Sequence, residues 1–302
     1  TGHSLTDNPL PDDVEAIAVS LGLASQYQQQ NVIGSPIRVR TVGHGNDPRQ
    51  QSMYPWTGYS QGKNRTGDGM NLVPELRTPA TVTGGAYTTL VIAENHNAFD
   101  MLQWENTVPL LRHFYELFHV GSPNGRGYFY GTWKDVFDKN NPAPWIAHER
   151  EQLQLWEAIA SRINDSLAAE NRTDRLATLP ANGALAELVD RAITSPGVAG
   201  ITQGNNTATL NVIFSDDVHL TRTGVYFMAC VVFSAVYGRS PVGAMVPSGV
   251  NATAGASLQA LAWSYVSAYY AASPLGPSMR IAQVLPRPPG RCDENSRYLP
   301  SA

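Results

Sequence analysis

Apolar residues recur along this chain at two different spacings, and the spacing separates helix from strand. Val14, Ile17, Ala18 and Leu21 fall on one helical face, with Asp12 or Asp13 placed to cap its start. Helical spacing returns at about Val108–His119, where Leu110, Leu111, Phe114, Leu117 and Phe118 make the apolar stripe. It returns again at His148–Ala169, Ala184–Ala192, Gly224–Tyr237 and Ala256–Ala272. Shorter runs, bounded by turn residues, read as strands at Tyr27–Ile33, Tyr87–Ala93 and Gly127–Trp133, and Ala208–Phe214 reads as an extended piece. Strands alternating with helices predict an α/β fold with a mostly parallel sheet. Nothing marks a domain boundary, so one domain is expected over residues 1–302, with about 280–302 as a tail packed on the surface. Between Ile37 and Gly85 the chain is rich in Gly, Pro, Asn and Gln, a length of connection that is usually functional or disordered.

Composition narrows the function. With 42% hydrophobic and 15% charged residues, the 302-residue chain can bury a large core. The longest apolar run, Val225–Val236, is too short and too interrupted for a membrane span and reads as a buried helix. The net charge of −4, without a basic block, argues against nucleic acid and anionic membrane as partners. Cys230 and Cys292 lack any C-x-x-C context, and His44, His96, His113 and His119 lack H-x-x-x-H spacing, so neither metal nor cofactor is expected. One bridge between the two cysteines, or a buried thiol and an exposed one, both fit. The chain begins at Thr1 without Met, which fits removal of a preceding segment and leaves a secreted or periplasmic location open.

In an open α/β sheet, ligands collect at the carboxyl ends of the strands. The polar residues expected there are Ser4, Gly34, Asn95, Thr132-Trp133 and the Asp216/His219 pair. A serine, a histidine with a carboxylate three positions earlier, and oxyanion donors are the parts of acyl-transfer chemistry. Asp and His so spaced on one loop set the carboxylate beside Nδ1 and leave Nε2 to take a serine proton. Asp217 is the alternative partner for His219, Gly45 the alternative to Gly34, and Asn97 the alternative to Asn95.

These residues carry a resemblance. Gly2-His3-Ser4-Leu5, with Asp7 beyond, resembles the first block of the SGNH (GDSL) hydrolases, and Asp216-Asp217-Val218-His219-Leu220 resembles their last block. Ser4, Gly34, Asn95 and His219 follow the family's order over roughly residues 1–240. The resemblance implies a flavodoxin-like three-layer α/β/α fold of the SGNH-hydrolase type. It implies Ser4 as nucleophile, His219 as base and acid, and Asp216 as its orienting partner. The oxyanion hole would be formed by the N–H groups of Ser4 and Gly34 and the Asn95 amide. Three departures stand out: His3 replaces the usual Asp, Glu94-Asn95-His96 replaces G-x-N-D, and only Thr1 precedes Gly2 where a strand is expected. Of the tail, only Arg280–Leu285 has strand character to fill that place.

The expected activity is a serine carboxylester hydrolase acting on a small acyl ester, such as an acetyl group on a carbohydrate, through an acyl-serine and without cofactor or metal. An O-acyltransferase of the same fold and a degraded carbohydrate-binding or structural domain are the alternatives. Trp56 and Tyr59, beside Tyr54 in the long connection, and Trp133 are the expected substrate contacts. The absence of G-x-S-x-G argues against an α/β-hydrolase nucleophile elbow.

Overall fold

A computed structural model describes residues 1–41, 63–67, 69, 71–77 and 85–273. Three strands, β1 (Thr89–Ala93), β2 (Arg126–Tyr130) and β3 (Leu176–Leu179), form a parallel sheet in that order. Thr89 lies opposite Arg126, and Gly127 opposite Leu176. Side-chain alternation divides these strands between two cores. Leu90, Ile92, Phe129 and Leu176 enter one, while Ala93, Tyr128, Tyr130, Ala177 and Leu179 enter the other. Both faces are covered, so Leu90–Ala93 and Tyr128–Tyr130 read as apolar runs without a polar face.

The covering helices are α1 (Leu10–Ser20), α2 (Ile37–Thr41), α3 (Leu72–Arg77), α4 (Ala98–Trp104) and α5 (Thr107–Gly121). They continue with α6 (Ala143–Ala169), α7 (Ala181–Ile193), α8 (Asn206–Ile213), α9 (Arg222–Tyr237) and α10 (Ala252–Ala272). Ile37, Leu76, Phe114, Phe118, Trp156 and Ile163 fill the first core, from α2, α3, α5 and α6. Ile17, Leu185, Leu210, Phe227 and Leu258 fill the second, from α1, α7, α8, α9 and α10. Helix α9 is apolar almost all round because it is buried almost all round. No described helix is long and apolar enough to cross a membrane.

Helix α1 starts at Leu10 without a side-chain cap, so Asp12 and Asp13 lie inside its first turn and do not cap it, and β3 is a strand the pattern did not predict. The expected elements themselves need three corrections. Residues 208–214 are not extended: the Asn205 side chain accepts the Ala208 N–H at 2.8 Å and starts α8, which buries Leu210 and Ile213 on one face. The strand expected at Gly127–Trp133 ends at Tyr130, and Thr132 and Trp133 turn toward other partners. The third correction concerns Tyr27–Ile33, where only Gln30–Val32 pairs. Gly2 N–H donates to Gln30 O at 2.9 Å and Val32 N–H to Gly2 O at 3.0 Å. On the other side, the Thr1 amino group donates to Val91 O at 2.8 Å and Ala93 N–H to Thr1 O at 3.0 Å. Thr1-Gly2 therefore occupies the strand place before Ser4, between Gln30–Val32 and β1. A cavity of about 210 Å³, lined by Val14, Leu76, Leu90, Val91 and Val236 among others, adjoins Thr1 and Gly2. Arg280–Leu285, the expected surface tail and Cys292 lie outside the described residues; Cys230 is a buried free thiol.

Glu149 of α6 is buried, accepting the Lys134 N–H at 2.8 Å, and burial pushes its pKa up to about 7. The folded protein therefore holds a proton that the unfolded chain releases near 4.5. Its contribution to stability is present below that value and declines as pH rises toward 7. Glu149→Gln should consequently gain Tm relative to wild type between pH 5 and pH 8. An identical Tm difference at both pH values would contradict this assignment.

Candidate active site

Ser4 opens a single 3-10 turn, Ser4–Thr6, at the exit of the Thr1-Gly2 strand. The turn is closed by a reciprocal cap: Thr6 N–H donates to His3 O at 2.8 Å and His3 N–H to Thr6 Oγ1 at 3.1 Å. Gly2 is required by this closure, because a Cβ there would lie 1.9 Å from Thr6 Oγ1. His3 is buried with Nε2 2.9 Å from the Glu94 carbonyl, which can only accept, so Nε2 carries the proton. Nδ1 faces the Leu5 N–H at 3.5 Å. Burial and then the nearby Arg40 charge push the His3 pKa down to about 3, so its ring is a neutral bracket rather than a base.

The opposing loop comes from 215–220, between α8 and α9. It is pinched shut by Phe214–Leu220 pairing and by Ser215 N–H donating to His219 O at 2.8 Å. Within it, Asp216 Oδ1 accepts the Val218 and His219 N–H groups at 2.8 and 2.5 Å, while Oδ2 lies 2.7 Å from His219 Nδ1. Burial is the largest single influence and opposes the Asp216 charge, but these N–H groups and the imidazole together hold its pKa below the usual value. His219 Nε2 then lies 3.1 Å from Ser4 Oγ. The result is a continuous Asp216–His219–Ser4 relay, with its imidazole nearly half exposed. Asp217 does not take part through its carboxylate; its carbonyl accepts the Val136 N–H at 2.7 Å.

Gly34 sits in the turn after Gln30–Val32 at φ +69°, a conformation that favours glycine. Its carbonyl accepts from Asn95 Nδ2 at 3.0 Å, so the two expected oxyanion residues are neighbours. Asn31 Nδ2 donates to His3 O at 2.8 Å and ties this turn to the Ser4 loop. Neither the Ser4 nor the Gly34 N–H has a hydrogen-bond partner among the described residues. Asn97, the alternative amide, is turned elsewhere: its Oδ1 accepts from Lys134 Nζ at 2.6 Å and its Nδ2 lies 3.5 Å from His96 Nε2.

Of the expected substrate contacts, Trp133 is corrected. It is fully buried, and its indole N–H donates to Val218 O at 2.8 Å, so it braces the His219 loop from beneath and offers no face to a ligand. Trp56, Tyr59, Tyr54 and Gly45 lie outside the described residues. Sequence reading missed His96 and Lys134 as site neighbours. His96 lies 3.7 Å from Asp135, with its pKa lowered by burial and by the nearby Lys134 and His219 charges, against Asp135. Their position directly after β1 and just beyond β2 was the available signal. Among the described residues no group of His, Cys, Asp and Glu could hold a metal ion.

Trp133→Phe keeps an aromatic ring but removes the donor to Val218, a bond worth about 1 kcal/mol. The Val218 and His219 amides should then exchange with solvent several-fold faster by NMR. Unchanged exchange would show that the loop is held without Trp133.

No protein-family model matches this chain, and no curated protein matches it. Among solved structures, a DUF4886 family protein from Bacteroides uniformis superposes with a TM-score of 0.56. The match covers 88% of this chain and 92% of that one at 12% identity, a likeness of fold alone.

Proposed function

We propose that this chain is a serine carboxylester hydrolase of the SGNH type, with a flavodoxin-like three-layer arrangement, that cleaves a small acyl ester through an acyl-Ser4 intermediate. The observation that carries the reading is the 3.1 Å approach of His219 Nε2 to Ser4 Oγ, backed by Asp216 at 2.7 Å. In this mechanism Ser4 Oγ attacks the ester carbonyl while its proton passes to His219 Nε2. Asp216 fixes the tautomer and stabilises the imidazolium. The oxyanion faces the Ser4 and Gly34 N–H groups and the second Asn95 amide hydrogen, the first being spent on Gly34 O. Collapse breaks the ester C–O bond, and the alcohol leaves with the proton from His219. Water then attacks the acyl carbon while giving a proton to His219, and as the acyl–Oγ bond breaks His219 returns that proton to Ser4 Oγ, releasing the acid.

The intact relay supports an enzyme over a degraded binding domain. An O-acyltransferase would share every step up to the acyl-enzyme. A carbohydrate ester, acetylated for instance, remains the proposed substrate class, from the open, solvent-facing imidazole and the aromatic residues Trp56 and Tyr59.

Purified protein should hydrolyse p-nitrophenyl acetate faster than butyrate, and Ser4→Ala should abolish the activity. Asp216→Asn should lower kcat by about 10²–10⁴, and Asn95→Ala by about 10²–10³. Equal, trivial rates in wild type and Ser4→Ala would remove the proposal.

A further inference from the structure

Glu94 is fully buried at the end of β1, yet its carboxylate reaches three separate segments. Oε1 accepts the Ile37 N–H at 2.9 Å and the Asn95 N–H at 2.7 Å, and Oε2 accepts the Thr107 hydroxyl at 2.7 Å. Its main-chain carbonyl takes two more donors, His3 Nε2 at 2.9 Å and the Thr132 hydroxyl at 3.2 Å. The three side-chain contacts all use Glu94 as an acceptor, from two N–H groups and one hydroxyl. Burial pushes its pKa up, and the buried Arg40 guanidinium, Thr107 and the two N–H groups oppose that shift.

Two of the carboxylate's partners belong to the site: Ile37 begins the helix that follows the Gly34 turn, and Asn95 carries the amide. The main-chain carbonyl of the same residue holds His3, which precedes Ser4. Asn95 and Gly34 are also bonded to each other at 3.0 Å, so they move as a unit if one anchor is lost. Donors to an oxyanion act only when held at the right place before the charge develops. We propose that Glu94 is the positioning residue of the oxyanion hole, holding the Gly34 turn and the Asn95 amide against Ser4 without touching substrate. This inference rests on the reading of the site as a Ser4-dependent esterase.

The test compares wild type, Glu94→Gln and Glu94→Leu, each alone and combined with Asn95→Ala. It measures kcat and KM on p-nitrophenyl acetate, with active sites counted by complete titration with diethyl p-nitrophenyl phosphate. Glu94→Leu should lower kcat about 100-fold, the loss typical of one oxyanion donor, with KM changed little. Glu94→Gln, which keeps an oxygen for Ile37 and Asn95, should recover at least about tenfold of that loss. Adding Asn95→Ala to Glu94→Leu should cost far less than it does in wild type, because both changes disable the same donor. A titratable Glu94→Leu enzyme with wild-type kcat, or effects that multiply fully with Asn95→Ala, would overturn the inference. If the Leu variant does not fold, Glu94→Ala and its Asn95→Ala double decide by the same rule. Wild type without Ser4-dependent turnover would instead refute the reading of the site itself.

Discussion

Four hydrogen bonds hold Thr1 and Gly2 inside the parallel sheet, two to Gln30–Val32 and two to β1, and the position of Ser4 follows from them. A chain leaving a strand at the carboxyl edge of a sheet must turn at once, and here it does so in one 3-10 turn. That turn is compact only because Gly2 has no Cβ to strike Thr6. Ser4 is thereby delivered to the edge where the loops after β1 and β2 also emerge. The sheet, rather than any contact made by Ser4 itself, sets where the hydroxyl stands.

Charge is distributed in two ways around this point. Beneath it, the buried groups are matched to each other: Arg40 donates to Ala93 O and Thr1 Oγ1, and its charge lies near Glu94. His3 is kept neutral by burial and by Arg40. A buried charge that is left unpaired is costly, whereas one saturated with hydrogen bonds makes a rigid scaffold. Above it, the side chains of Asp216 and His219 stay about half exposed and face each other across 2.7 Å.

Much of this was legible in the sequence, for reasons that differ by residue. Ser4, Asp216 and His219 lie in short local patterns, and the sheet brings those two distant loops together. Gly34 and Asn95 could be placed because each follows a chain segment that enters the sheet. Glu94 escaped notice because a lone acid beside Asn95 looks solvated; only the tertiary fold surrounds it with donors. Trp133 was misread for a related reason. An aromatic residue past a strand end fits a ligand rim as well as a brace, and its burial depends on the distant Val218 loop. β3 is four residues long and α8 contains Thr207, Thr209, Val212 and Ile213, so local propensity pointed away from both.

The central claim is that the sheet and the 215–220 loop make Ser4 a nucleophile activated by His219. The most direct measurement is peptide mass spectrometry after treatment with diethyl p-nitrophenyl phosphate, whose phosphorus an activated serine attacks as p-nitrophenolate leaves. The account predicts one diethylphosphoryl group, on the peptide containing Ser4, formed far more slowly in His219→Asn. An unmodified Ser4 peptide, or modification that proceeds equally well without His219, would contradict it.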